Sequence, residues 1–532
     1  MLLTRRRRLA GSVLIVAAAV SACTTPSAPD RQTGQDRTAM VLADGYEPET
    51  LNPLLGFGEE GASKLFDGLV EHRADRSVRA ALAAEVPQPS PDGRTWTVKL
   101  RPGVKFHDGS TFGSEDVVAT YRAVLDPAFA STVRANYSMV TAVDAEGPTT
   151  VRFTLAHAYA PFAHRLVLGI VPSESVAQPG PLERSPFNAK PVGTGPYKLT
   201  EWRRGDRMVM EANDDYFLGA PKVRKLTVVF AIDDNTRAQR MRAGEFDGTA
   251  LPPLAANGMT DVKGAQVIKH SSADYRTVVM PMNNPVTGDR AVRLALNYAM
   301  NRDGMIQALL GGKGKPASTP IPQALPEFVE PTAQFRYDKD EATRLLEQAG
   351  WVLGADGVRA RGPQRASFSL MYPAGDSVRK DLAQAFASDA KAVGVEVKLE
   401  GLGWEAIEPR MGADALVLGG GNPFDPDLKS YPLLHSSFAA NGFNNPGSYR
   451  NTQVDAALDA GRKETDPAQR VAYYRQFQRA YAADPAMVFL VFLDHTYVVR
   501  DGWTGYQEVV DPHTHGLTWG PWWNVQSWVP KG

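Results

Sequence analysis

The segment from Asp92 to Pro127 constrains the fold of this chain more than any other stretch. Trp96, Val98 and Leu100 alternate with polar residues, and this period of two is typical of a strand with one buried face. The Arg-Pro-Gly turn that follows leads into a second short strand predicted at 104–106. The segment therefore begins as two strands joined by a tight turn.

The same segment ends in a predicted helix. Ser114 is placed as its N-cap, and Glu115 and Asp116 follow at the positive end of the helix dipole. The apolar residues of this helix recur at helical spacing: Val117, Tyr121, Val124 and Leu125. The whole segment is predicted to be a β-turn-β-α unit.

TWTVKLRPGVKFHDG, at 95–109, closely resembles the signature of the peptide/nickel family (family 5) of solute-binding proteins of bacterial ABC importers. Further stretches resemble family markers, among them PVGTGPY at 191–197 and Asn-Asn-Pro at 283–285. The resemblance spans essentially the whole mature chain. It implies an α/β, two-lobe periplasmic-binding-protein-like fold, with an extra subdomain in the first lobe and a ligand cleft between the lobes.

The N-terminus is typical of an exported protein. Basic residues at 5–8 precede an apolar run at 9–20, which is shorter than the roughly 20 residues that span a bilayer, so it is interpreted as a secretory signal. Small residues precede Cys23, the single cysteine of the chain, so no internal disulfide is possible. The resemblance to bacterial lipoproteins implies cleavage before Cys23 and a lipid on its sulfur; a plain signal peptide followed by an ordinary buried cysteine is the alternative.

Nearly 500 residues remain after this leader, more than one hydrophobic core usually supports. A strand-helix-strand pattern at 367–399 predicts a βαβ crossover with a parallel pair of strands. We expect hinges near 282–285 and near 492–494. The predicted divisions are a signal peptide (1–22), a lipidated flexible tether (23–38), lobe I (39–282, with an inserted subdomain at about 76–189), lobe II (283–490) and a C-terminal return to lobe I (491–532).

Catalytic motifs are not found in the sequence. The glycine-rich stretch at 311–316 departs from a phosphate-binding loop at both ends, and no His-Glu-x-x-His or nucleophile elbow occurs. A net charge of −1 argues against a nucleic-acid partner. The sequence therefore predicts a binding protein, not an enzyme, with no cofactor.

The loop from Val417 to Asp427 is the strongest candidate for ligand contact, because its glycines let a ligand approach the backbone closely. In peptide-binding relatives an aspartate of this loop takes the peptide ammonium, and Asn422 falls at that position here. Glu47 or Asp425 could supply the negative charge that Asn422 lacks, and aromatic residues could line the ligand site. The predicted ligand-binding residues are Tyr46, Glu47, Trp404, Gly420, Gly421, Asn422, Phe424, Asp425, Trp519 and Trp522.

Two alternatives to peptide binding stay open, and an ordinary glycine turn is a third interpretation of the loop. Gly-Asn-Pro-Phe-Asp-Pro at 421–426 resembles the loop of nickel-binding relatives, and His435 lies three residues short of the register of their metal-contacting histidine. No arginine is recognised that would hold the carboxylates of a metal chelator. His513 and His515 suggest another metal site, and ordinary loop polarity is the alternative interpretation of this pair. The other alternative is a sensor or cell-envelope lipoprotein that transports nothing.

The predicted function is capture of short peptides by a monomeric lipoprotein, located outside the cytoplasm and anchored to the cell membrane through its N-terminal lipid. The resemblance implies delivery of the ligand to an ABC permease with its ATPase subunits. The alternative cargo is nickel or a metal-chelator complex.

Overall fold

The computed structural model describes residues 38–513 and 518–531. The predicted signal peptide, Cys23 and His515 lie outside the described residues. The part from Thr38 onward forms one compact unit.

Strands and helices alternate along the chain. The strands are β1 (Ala39–Asp44), β2 (Val70–His72), β3 (Val78–Ala80), β4 (Thr95–Lys99), β5 (Val140–Ala145), β6 (Thr150–Leu155), β7 (Tyr197–Arg203), β8 (Arg207–Ala212), β9 (Lys225–Phe230), β10 (Gly248–Ala250), β11 (Ala265–Val279), β12 (Gly314–Pro316), β13 (Val352–Leu353), β14 (Arg359–Arg361), β15 (Gln364–Arg365), β16 (Ser367–Pro373), β17 (Glu396–Leu402), β18 (Ala415–Gly420), β19 (Met487–Arg500), β20 (Trp503–Thr504) and β21 (Val529–Pro530). The α-helices are α1 (Ser114–Leu125), α2 (Phe162–Arg165), α3 (Asp234–Arg242), α4 (Pro253–Asn257), α5 (Arg290–Ala299), α6 (Arg302–Leu310), α7 (Lys339–Gln348), α8 (Ser377–Ala392), α9 (Trp404–Ile407), α10 (Asp427–Leu434), α11 (Thr452–Lys463) and α12 (Pro467–Ala483).

The segment from Asp92 to Pro127 folds largely as predicted. β4 forms the edge of a three-stranded sheet in the order β4-β6-β5, and α1 follows it. The predicted strand at 104–106 does not form: only an isolated bridge joins Lys105 to Thr111. The helix is capped by Gly113, not by Ser114, because the Asp116 carboxylate accepts a hydrogen bond from the Gly113 N–H at 2.8 Å.

One sheet runs through the whole molecule in the order β17-β16-β18-β11-β19-β10-β1-β9-β8-β7, with β12 added beside β19. β16 and β17 pair in parallel and are joined by α8, so the predicted βαβ crossover is confirmed. β11 and β19 are long antiparallel partners whose register shifts between Ser271 and Tyr275. Both strands continue from one half of the molecule into the other.

The hydrophobic cores divide along these two strands. One large core is built from the chain between Met40 and Phe230 and from Tyr497 to Trp528. Two others use residues between Tyr275 and Leu493. The fold is therefore α/β with two lobes, and the lobe boundaries given above stay predictions. Among the described residues, no helix combines the length and the apolar character that crossing a bilayer requires.

Candidate functional site

The residues from Gly419 to Asp427, here called the glycine loop, leave the end of β18 and enter α10. β18 is buried between β16 and β11, so the loop starts in the interior of the sheet and not at its edge. Gly421 has a φ of +144°, and a Cβ built on it would lie 1.8 Å from the carbonyl oxygen of Ala273. Only glycine permits this backbone approach.

A buried ion pair shapes the loop. Both terminal guanidinium nitrogens of Arg470 donate to the Asp425 carboxylate, at 2.8 and 2.7 Å, and the two side chains are each 9% exposed. An Asp425 oxygen also accepts a hydrogen bond from the Asp427 N–H at 2.8 Å. Since Arg470 neutralises Asp425, the geometry does not favour the proposed role of Asp425 as the acid that binds a ligand ammonium.

Asp427 connects the loop to the first lobe. Its carboxylate accepts hydrogen bonds from Arg462 at 3.0 Å and from Tyr474 at 3.2 Å, both on lobe II helices. Tyr159, which belongs to the large core of the other lobe, donates to the same carboxylate at 2.6 Å. Burial acts to raise the pKa of Asp427, but Arg462 and Tyr159 outweigh it and the pKa is lowered. The carboxylate is therefore a charged contact between the lobes.

An apolar interlobe cluster contains Phe424, Leu428, Val509, Trp519 and Trp523. The Phe424 ring stacks on His72 of the first lobe with centroids 3.4 Å apart and planes 2° from parallel. Trp519 lies 5.3 Å from Phe424. The structure thus brings two of the predicted aromatic residues, Phe424 and Trp519, together where the lobes meet.

Two arginines that no sequence motif singles out converge on the glycine loop. The position of a Cβ on Gly419 lies 2.7 Å from a guanidinium nitrogen of Arg276, 2.7 Å from one of Arg379, and 3.0 Å from the His513 ring. Each arginine is 8% exposed, and each Nε is buried without a hydrogen-bond partner among the described residues. Arg276 and Arg379 are called the arginine pair below.

The arginine pair is incompletely compensated. Arg276 is paired with Asp274 and Arg379 with Asp376, the latter at 2.9 Å. Burial, followed by repulsion from Arg276, lowers the pKa of Arg379 to about 10. Two buried guanidiniums with free Nε–H groups favour an anion, and a carboxylate is the planar partner that a guanidinium binds best.

A buried histidine-aspartate network lies behind the arginine pair. His495 donates to Asp274 at 2.9 Å and lies 3.2 Å from Asp511, which also accepts from Tyr497 at 2.7 Å. His513 contacts Asp274 at 2.8 Å. Burial acts to lower the pKa of His495, but its hydrogen bonds to Asp274 and Asp511 outweigh this and raise the pKa to about 9. His495 is therefore charged at neutral pH and joins the strands β11 and β19.

We expect this network to make folding stability depend on pH. Because the folded pKa of His495, about 9, lies above its ordinary value of 6.5, the stabilisation is complete below pH 6.5 and is lost as the pH rises through 9. The loss is on the order of 3 kcal/mol. Urea unfolding between pH 6 and pH 10 should show the wild type approaching His495→Gln in stability as the pH rises. The matched variant His157→Gln should show no such convergence, and a pH-independent gap for His495→Gln would contradict the assignment.

Three other predicted site residues, Glu47, Tyr46 and Trp404, lie on other elements of the fold. Both carboxylate oxygens of Glu47 already accept a hydrogen bond, one from the Trp202 indole N–H at 2.9 Å and one from the Gly205 N–H at 2.8 Å. Glu47 is therefore not favoured as the ammonium-binding acid. Tyr46 is 38% exposed in the loop after β1. Trp404 lies beside the arginine pair, with its ring 5.9 Å from the Arg379 guanidinium.

Trp522 does not line a cleft. Its side chain is fully buried in the core of the first lobe, in edge contact with Tyr497 at 5.9 Å. A Cβ on Gly248 would lie 2.4 Å from its ring, so the indole fills space that a glycine leaves open. The expectation of a ligand-facing Trp522 is corrected accordingly: the residue packs the core.

The geometry around His435 does not favour a metal ligand. The ring stacks on Tyr431 at 4.3 Å, and Nδ1 lies 2.7 Å from the Ser437 hydroxyl. Within residues 38–513 and 518–531, no group of three or more metal-ligating side chains is placed to hold an ion. His435 instead caps the short helix that follows α10.

Residues 77–441 match the family described as Bacterial extracellular solute-binding proteins, family 5 Middle. The chain is 44% identical to Protein XP55 of Streptomyces lividans over 96% of this chain and 93% of that protein. It is similar to the crystal structure of NikZ from Campylobacter jejuni in complex with Ni(L-His), with a TM-score of 0.86, 26% identity, and coverage of 93% and 99%. AppA from Bacillus subtilis in complex with a nonapeptide gives a TM-score of 0.83 at the same identity and coverage.

The glycine loop and the arginine pair lie in an α/β, two-lobe fold that is similar to those of these two binding proteins. The chain belongs to the bacterial extracellular solute-binding proteins of family 5.

Proposed function

We propose that this protein is the capture component of an ABC importer and that its cargo is a short peptide with a free carboxylate. The arginine pair carries the proposal, because two buried guanidiniums beside a side-chain-free stretch of β18 suit a ligand carboxylate. AppA, similar over nearly the whole chain, is described in complex with a nonapeptide. Capture, not chemistry, is the proposed activity.

The proposed working cycle rests on the contacts between the lobes. Phe424 stacked on His72, and Tyr159 bonded to Asp427, hold the glycine loop of one lobe against the other. We propose that a ligand adds to these contacts and favours the closed form, which the permease then recognises. Anchoring outside the cytoplasm through a lipid on Cys23 remains part of the proposal and is supported by the sequence pattern around that residue.

Nickel bound by an organic chelator is the second candidate cargo. The similarity to NikZ in complex with Ni(L-His) supports it, and the arginine pair would hold chelator carboxylates as well as those of a peptide. Such a cargo would bring its own metal ligands.

Calorimetry on the ligand-free protein tests these proposals. Di- to pentapeptides with a free C-terminus should bind the wild type, and C-terminal amidation should weaken binding roughly 10- to 100-fold, the value of one charge-assisted hydrogen bond. Arg379→Gln should weaken the binding of peptides with a free C-terminus by a similar factor and leave the binding of amidated peptides unchanged. The matched variant Arg410→Gln, on the surface of the same lobe, should bind like the wild type.

Two results would change the conclusion. If peptides bind equally well with and without a free carboxylate, the arginine pair does not bind the ligand carboxylate. Binding that requires Ni²⁺ together with free L-histidine, with no binding of peptides, would replace the peptide by the chelated metal.

A further inference from the structure

The end of β18 has basic groups on both of its faces. Gly419 and Gly420 are consecutive residues of this strand, so the Cβ positions built on them point to opposite faces of the sheet. The arginine pair lies on the Gly419 face. On the other face, the Cβ position of Gly420 lies 2.6 Å from the Tyr275 hydroxyl and 2.8 Å from Cε of Lys429. These two groups, here called the Tyr-Lys site, are not used by the proposed carboxylate site.

Strand pairing places the Tyr275 hydroxyl beside the strand end. Tyr275 of β11 pairs with Gly420 of β18, just as Arg276 pairs with Gly419. The Tyr275 side chain is fully buried, and its hydroxyl has no hydrogen-bond partner among the described residues. A buried hydroxyl without a partner has lost its bonds to water and gained none in return. A ligand oxygen would supply the missing acceptor.

The Lys429 ammonium is the second donor of the site. Lys429 follows Leu428 of the interlobe cluster in α10 and is partly exposed. No acidic side chain within residues 38–513 and 518–531 forms an ion pair of 4.0 Å or less with it. Burial raises the pKa of Glu60, the acid on which the Lys429 charge acts, to about 8, so this acid is mostly uncharged at pH 7. Lys429 therefore keeps its charge available for a ligand.

The two donors lie close enough to hold one carboxylate. Because a C–N bond is about 1.5 Å long, the Lys429 nitrogen lies within about 7 Å of the Tyr275 oxygen. A carboxylate that accepts from two donors allows them to be up to about 8 Å apart, since each hydrogen bond is about 3 Å long. An ammonium has donors and no acceptor, so a site with Lys429 favours an anionic oxygen group and repels a cation.

We propose that the Tyr-Lys site binds a second carboxylate of the cargo, so that the protein selects short peptides with an acidic first residue. The inference rests on the proposed peptide cargo, whose C-terminal carboxylate the arginine pair holds, and adds the group at the other end. The guanidiniums beside Gly419 and the Lys429 ammonium lie at most about 14 Å apart. An extended di- or tripeptide reaches about 7–11 Å, and its two terminal hydrogen bonds add the rest.

Calorimetry with two tripeptide mixtures tests the inference: Glu-Xaa-Xaa and Gln-Xaa-Xaa, which differ only in the carboxylate of the first residue. The wild type should bind the Glu mixture roughly 10- to 100-fold more tightly, the value of one charge-assisted hydrogen bond. Lys429→Gln should abolish this preference. Arg379→Gln should weaken the binding of both mixtures by the same factor, because both end in a free carboxylate. Lys391→Gln replaces an exposed lysine of the same lobe and should keep the wild-type preference.

Tyr275→Phe tests the hydroxyl while keeping the shape of the ring. It should reduce the preference for the Glu mixture roughly 3- to 10-fold, the value of one neutral hydrogen bond. It should not lower the unfolding temperature of the ligand-free protein, because the hydroxyl has no protein partner to lose. Tyr449→Phe is the contrasting variant: its hydroxyl donates to the Asp484 carbonyl at 2.8 Å, so this change should lower the unfolding temperature and keep the preference.

The outcomes separate this inference from the proposed function. Equal binding of the two mixtures by the wild type, or a preference that survives in Lys429→Gln, would overturn the Tyr-Lys site and leave peptide capture intact. A Tyr275→Phe protein that keeps the full preference would overturn the role of the hydroxyl. If the wild type binds neither mixture, both the inference and the proposed peptide cargo are wrong.

Discussion

Replacing Arg470 with leucine should destabilise the second lobe by about 3–5 kcal/mol, because it leaves the Asp425 carboxylate charged, buried and unpaired. The same change should disorder the glycine loop, since Asp425 also holds the N–H of Asp427. Urea unfolding followed by circular dichroism measures the loss in the free energy of unfolding. The transition of the second lobe is the one to follow, because a two-lobe chain need not unfold in one step.

Two further variants make this prediction specific. The double variant Asp425→Asn, Arg470→Leu removes both charges and keeps an acceptor for the Asp427 N–H, so it should recover a large part of the lost stability. Arg344→Leu breaks an exposed pair with Glu341 and should cost less than about 1 kcal/mol. Equal losses for the Arg470 and Arg344 variants would show that the buried pair has no special role.

Gly421→Ala should displace the glycine loop and weaken ligand binding at least tenfold. The new methyl group would sit 1.8 Å from the Ala273 carbonyl oxygen, so the backbone must move by more than 1 Å to reach ordinary contact. The positive φ of this residue adds a cost of about 1–3 kcal/mol. Calorimetry with a free tripeptide and thermal unfolding measure the two effects.

Gly412→Ala is the matched control, because nothing lies within 4 Å of the position of its Cβ. It should leave both binding and stability unchanged. A Gly421→Ala protein with wild-type affinity would mean that the close approach to Ala273 is not needed to hold the ligand site.

Local sequence determined the elements that depend on periodicity. The alternation of Trp96 and Val98 predicts β4, and the pattern at 367–399 predicts the parallel pair of β16 and β17. These patterns succeed because a strand or helix must turn its apolar side to the core, whatever surrounds it. The strand predicted at 104–106 fails because strand formation needs a partner, and the fold offers Lys105 only one isolated bridge.

The sequence also contained signals for the missed arginines. Arg276 shares one face of β11 with the apolar Val278, and Arg379 precedes Leu382 and Phe386 by three and seven residues, which puts it on the buried face of α8. Each signal predicts a buried arginine. Neither predicts that the two guanidiniums meet, because β11 and α8 are about 100 residues apart in the chain and their contact depends on the sheet order.

By itself, then, the sequence determined the family, the α/β class and the glycine loop as the candidate ligand-binding segment, because these depend on short motifs and local patterns. Only the tertiary structure decided which groups stand around that loop. It paired Asp425 with Arg470, placed Trp522 in the core, and brought Arg276 and Arg379 together beside Gly419. Charges act over a few ångströms in space, and that distance is set by the packing of elements far apart in the chain.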